Sequence, residues 1–98
     1  MGLINDLSKQ YLIEDFSGSA ITAAANVSPS KSSMHVIGIE IKNVDTTDDL
    51  KVSVDGGTTY HTLIPGEPGE FSVNHQANIQ VKSANNTASY EGRMAVEQ

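Results

Sequence analysis

His35, His61 and His75 are the only imidazoles in the 98 residues, and with the carboxylates they are what metal or acid-base chemistry would draw on. None falls at the His-x-x-x-His or His-Glu-x-x-His spacing that turns two ligands onto one helical face, and a metal site needs further ligands with hydrogen bonds behind them. They read as strand or turn histidines. Asp45, Asp48 and Asp49 could offer oxygens to calcium, yet their segment lacks the glycine and distal glutamate of an EF-hand loop, so they read as solvated turn carboxylates. Glu67 and Glu70 are near enough to act as an acid and a base, but in a proline-glycine loop both face water, with nothing to pull their pKa values apart. There is no cysteine, and hence no thiolate ligand, thiol nucleophile or disulfide, and no Gly-x-Ser-x-Gly elbow or phosphate-cradling glycine loop. The expectation is a chain with no catalytic residue, no metal and no cofactor.

Charge narrows the partners. Twelve acidic residues against six basic ones give a net charge of −6, with no Lys/Arg cluster, which argues against a nucleic-acid backbone. No apolar run approaches the roughly 18 residues of a membrane span. The first residues lack the basic and apolar regions of a signal peptide, so the expectation is a soluble chain made in the cytoplasm that starts at its own Met1. Asn26-Val27-Ser28 and Asn85-Asn86-Thr87 fit the glycosylation acceptor pattern, which matters only in a secreted eukaryotic chain. Tyr60, Phe71 and Tyr90 could stack on a sugar, but aromatics are so few that they are assigned to the core.

The element most clearly written is a hairpin. Leu50, Val52 and Val54 alternate with Lys51, Ser53 and Asp55, the period of two of a strand with one buried face. Asp55-Gly56-Gly57 supplies the positive φ that tight hairpin turns require. Tyr60, Thr62 and Ile64 follow as a second strand. Before the hairpin, Ile37, Ile39 and Ile41 alternate with Gly38, Glu40 and Lys42; Gly38 marks a bulge or a close contact. After it, Pro65-Gly66 suits the centre of a type II turn. Further strands start at Phe71 and Val73, at Ile79 and Val81, and at Tyr90, Met94 and Val96.

Residues 1–19 differ from the rest. Leu3, Ile4, Leu7, Tyr11, Leu12 and Phe16 fall at spacings that would stripe a helix, ahead of a Ser17-Gly18-Ser19 break. Two readings are open: an arm, helical or not, that docks on another protein, or a tail lying over its own domain. Ala20 to Val27 could be a strand or a short helix. The expected architecture is an all-β, antiparallel β-sandwich, Ig-like or jelly-roll-like, of about six to seven strands over residues 20–98, with residues 1–19 as an N-terminal arm.

Ser53-Val54-Asp55-Gly56-Gly57-Thr58-Thr59-Tyr60 resembles the Asp-box hairpin Ser-x-Asp-x-Gly-x-Thr-aromatic. That resemblance implies a structural turn in which Asp55 accepts hydrogen bonds from the turn backbone above the Tyr60 ring, with Ser53, Gly56, Gly57 and Thr59 completing it. The box recurs in sialidase-like propellers but occurs once here, and 98 residues cannot build several blades, so no glycosidase activity is carried over. Together with the Ile37-to-Ile41 strand, the Ile64-Pro65-Gly66-Glu67 loop, Ile79 to Ser83 and Ser89-Tyr90-Glu91, the hairpin resembles small β-sandwich proteins of tailed-bacteriophage virions. That resemblance implies a non-enzymatic structural protein of the virion that decorates or stabilises the capsid shell. Its partners would be the major capsid protein or other virion subunits, with homo-oligomers in the particle and neither nucleic acid nor membrane. The alternatives are a neck or tail component and, from another class, a carbohydrate-binding module.

Overall fold

The fold is an antiparallel β-sandwich, seen in a computed structural model that describes residues 2–74 and 78–97. A short helix, α1 (Gly2–Leu7), precedes β1 (Leu12–Ala20), β2 (Ala25–Val27), β3 (His35–Asn43), β4 (Leu50–Ser53), β5 (His61–Leu63), β6 (Pro68–Ser72), β7 (Ile79–Ser83) and β8 (Ala88–Glu97). The front sheet has the order β1-β8-β3-β6 and the back sheet β2-β7-β4-β5. Every connection crosses between the sheets except the β4–β5 hairpin, which makes the sandwich a jelly roll rather than an Ig-like fold. Among the described residues eight strands stand where about six to seven were expected.

The additional strand comes from the segment read as an arm. Leu12–Ala20 pairs with Ala88–Val96 along its whole length, so the boundary placed between residues 19 and 20 falls inside β1. The periodicity from Leu3 to Phe16 is helical only as far as Leu7. Beyond it the backbone gains a continuous ladder on β8, which a marginal short helix cannot match. Gly18 is an edge-strand position rather than a break: a Cβ there would lie 2.7 Å from the Tyr90 hydroxyl.

The core lies between the inner faces. Ile39, Ile41, Met94 and Val96 from the front sheet meet Leu50, Val52, Leu63, Ile79 and Val81 from the back. Each such side chain contributes about 1.5–3 kcal/mol on full burial. Two expected core residues lie elsewhere. A bulge between Val36 and Gly38 takes Ile37 out of the alternation and turns Val36 inward instead. In the hairpin, Leu50 pairs with Leu63 and Val52 with His61, so the phase is opposite to that read from Tyr60, Thr62 and Ile64. Leu63 is buried, Ile64 is exposed and Tyr60 lies outside the core.

Asn43, at the end of β3, ties the two sheets together. Wholly buried, it donates through Nδ2 to the Asp48 carbonyl at 2.8 Å and to the Leu63 carbonyl of β5 at 2.9 Å, while Oδ1 accepts from Asp45 N at 2.9 Å. The turn that follows β5 is the expected type II turn: Gly66 has φ +85° and Glu67 N donates to the Ile64 carbonyl at 2.9 Å.

Candidate functional site

The hairpin turn satisfies itself. Gly56 and Gly57 adopt φ of +78° and +95°. Asp55 Oδ1 accepts from Thr59 N at 2.9 Å, Thr58 N at 3.1 Å and the Ser53 hydroxyl at 2.7 Å, and Ser53 Oγ accepts from Gly57 N at 2.9 Å. The Thr59 amide, then the Ser53 hydroxyl, hold the Asp55 carboxyl below its ordinary pKa, because each bond favours the charged form. Tyr60 donates its hydroxyl to Gln80 Oε1 at 3.1 Å, and its ring lies under Lys82 Nζ, 4.2 Å from the centroid.

The other loop carboxylates are similarly committed. Asp45 Oδ2 accepts from Asp48 N at 2.9 Å and Thr47 N at 3.1 Å, bonds that lower its pKa in that order. Asp48, expected to be solvated, is buried and accepts from Asn86 N at 2.8 Å. Glu67 accepts from Ile64 N at 3.0 Å. Glu70 belongs to β6 and not to the loop with Glu67. His61 stacks on Phe71 at 4.7 Å, His35 is on β3, and His75 lies outside the described residues. No group of three His, Cys, Asp or Glu among the described residues is placed to hold a metal ion.

The residues expected to dock a partner do not form one stripe. α1 packs on the outer face of the front sheet, where Ile4 is buried and Leu3 and Leu7 approach Gly38. A Cβ on Gly38 would lie 2.6 Å from Leu7 Cδ1, so Gly38 is the floor of a socket for this helix. Ala95, also buried, lies beside Gly38 on the neighbouring strand. Phe16 packs against the core from β1, Tyr11 is half-buried, and Leu12 is exposed.

What remains open is the outer surface of each sheet. On the front, the register aligns Asp15, Arg93, Glu40 and Glu70 across four strands, with Glu91 beside Lys42 in the next row. Arg93 Nη2 donates to Glu40 Oε1 at 3.3 Å; Glu40 is only 7% exposed, and its Oε2 is buried without a hydrogen-bond partner. Asp15, Arg93, Glu40, Lys42 and Glu91 line a cleft of about 540 Å³. On the back, Lys51 stands directly opposite Lys82, with Thr62, Ser53 and Gln80 around them. Lys51 Nζ donates to Thr62 Oγ1 at 3.2 Å. Sequence reading overlooked both clusters, because neither exists until the register is known.

No family model matches the chain, and no curated protein matches it significantly. A solved chain from Bacillus endospore appendages, described as forming a novel family of disulfide-linked pili, is similar in structure. The TM-score is 0.59 at 16% identity, covering 89% of this chain and 88% of that one. At that identity the likeness is one of fold.

Proposed function

We propose that this chain is a non-enzymatic structural subunit that works through protein contacts in a repeating assembly. The observation that carries the reading is how its polar chemistry is used. Asp45, Asp55 and Glu67 are occupied by backbone amides of their own turns and Asp48 by the Asn86 amide of another loop, while the outer face of the back sheet and the part of the front face beyond α1 stay open. A jelly roll shared with a protein of disulfide-linked pili supports a structural role. Having no cysteine, the 98 residues would assemble through non-covalent contacts.

The more specific form of the proposal is a protein of a tailed-bacteriophage virion, decorating or stabilising the capsid shell, with a neck or tail position as the alternative. The Ser53–Tyr60 hairpin and the strands around it support that form. Co-sedimentation of the purified chain with capsid shells, beside light scattering on the chain alone, tests both levels. Binding to shells at a fixed stoichiometry is the expected result. A chain that stays monomeric and binds neither shells nor tails refutes the subunit reading.

A further inference from the structure

Each face of the sandwich carries a feature that weakens the isolated chain. Like charges directly opposite on neighbouring strands repel. Glu40 and Glu70 stand so on the front sheet, and Lys51 and Lys82 on the back. In a chain of net charge −6 with only six basic residues, placing two lysines side by side calls for an explanation. Arg93 pairs with Glu40, but neither Lys51 nor Lys82 has a carboxylate partner among the described residues. Their fixed neighbours are neutral: the Tyr60 ring under Lys82 and the Thr62 hydroxyl beside Lys51.

The two pairs match. Directly opposed residues on adjacent strands sit about 5 Å apart in either sheet, so the spacing of the lysines equals that of the glutamates. Beyond α1, the strand residues facing out from the front sheet include Asp15, Glu40, Glu70 and Glu91 against Lys42 and Arg93, an excess of acid. Those facing out from the back sheet include Lys51 and Lys82 and no acid. A second observation marks the acidic side as a receiving site: Glu40 is more than nine-tenths buried, lines the cleft and keeps one carboxylate oxygen without a donor.

We propose that copies of this chain stack front to back, the Lys51–Lys82 pair of one copy seating on the Glu40–Glu70 pair of the next. The contact is heterologous, because different surfaces meet, so repetition closes a ring or extends a filament according to the rotation at each step. Seating the lysines relieves both repulsions at once. This inference rests on the structural-subunit reading and names the partner as a second copy.

The test uses the full chain and two double reversals of exposed or half-exposed charges. Lys51→Glu with Lys82→Glu makes both faces acidic; Asp15→Lys with Glu70→Lys makes the front face basic like the back. Sedimentation velocity should show the wild type associating with rising concentration and dissociating in high salt, where screening shortens to about 3 Å. Each reversal alone should weaken association about tenfold or more, and an equimolar mixture of the two should restore it, since each then meets an opposite face. Should a reversal unfold the chain, the neutral pairs Lys51→Gln with Lys82→Gln and Asp15→Asn with Glu70→Gln must each weaken association alone. Association indifferent to these changes, or unrestored by mixing, overturns the stacking while leaving the subunit reading intact. A wild type that stays monomeric also overturns the stacking, and the subunit reading then stands or falls on binding to shells.

Discussion

Asn43 offers the sharpest test of how the sandwich is held. Replacing it with alanine deprives the Asp48 and Leu63 carbonyls of their donor and Asp45 N of its acceptor. A buried polar group left unpaired costs about 1–3 kcal/mol, and the two loop groups regain some hydration, so the sum should be about 3–5 kcal/mol. That is a large part of the roughly 5–15 kcal/mol that stabilises a domain. Since 1 kcal/mol moves the melting temperature of a domain this size by about 4–8 °C, a drop of about 15 °C or more is expected by circular dichroism. Asn43→Asp separates hydrogen bonding from lost packing. It places a carboxyl oxygen where Nδ2 now faces two carbonyls, so burial and those oxygens should raise the folded-state pKa above the ordinary value of about 3.9. A group shifted that way stabilises fully below the unfolded pKa and loses its contribution as pH rises through the folded one. Asn43→Asp should therefore come closer to the wild type at about pH 3 than at pH 7. A melting temperature within about 3 °C of wild type for Asn43→Ala would show that these bonds do not hold the sheets.

Other predictions concern the turn, the helix and the first strand. Asp55→Ala should lower the denaturation midpoint by removing the acceptor of Thr58 N and Thr59 N. Because the Asp55 pKa is depressed on folding, its contribution is present above the unfolded value of about 3.9 and is lost as pH falls through the folded one; the alanine variant should show a flatter acid limb. Gly38→Leu should lift α1 from its socket at a cost of about 1–3 kcal/mol, exposing residues 2–11 to limited proteolysis while the β-type circular dichroism persists. A variant lacking residues 1–8 should still melt cooperatively, whereas one lacking residues 1–20 should not, because β8 loses one of its two ladders and becomes an open edge. Equal melts for the two would mean that β1 adds nothing.

The sequence announced those elements whose local chemistry and tertiary role agree. The Ser53–Tyr60 turn, the Pro65-Gly66 turn and the inward Ile39 and Ile41 were legible because glycine, proline and strict alternation fix them within a few residues. β1 was not, since Leu12 to Ala20 has no clean alternation and becomes a strand only because β8 offers it a ladder. The hairpin's return strand was misphased because Tyr60, Leu63 and Ile64 are apolar on both faces, and only pairing with Leu50 decides between them. The role of Asn43 was not legible, because nothing local shows that two carbonyls converge on it. The charge pairs were hidden for the same reason: Lys51 and Lys82 become neighbours only through the β4–β7 register.

The interleaved strand order also dictates when the front face can exist. β8 lies between β1 and β3, yet it is the last of the eight strands to be synthesised. The Ser19 and Ser89 hydroxyls approach to 3.5 Å across 70 residues of chain. Such distant pairings delay folding, because loop closure must precede the contacts that reward it. A nascent chain can form the β4–β5 hairpin and bring β3 to β6, but β1 finds no ladder and Glu40 lacks Arg93 until residues 88–97 have emerged. Any partner that reads the front face is therefore timed by synthesis: a nascent chain cannot present the Arg93 row until β8 has emerged.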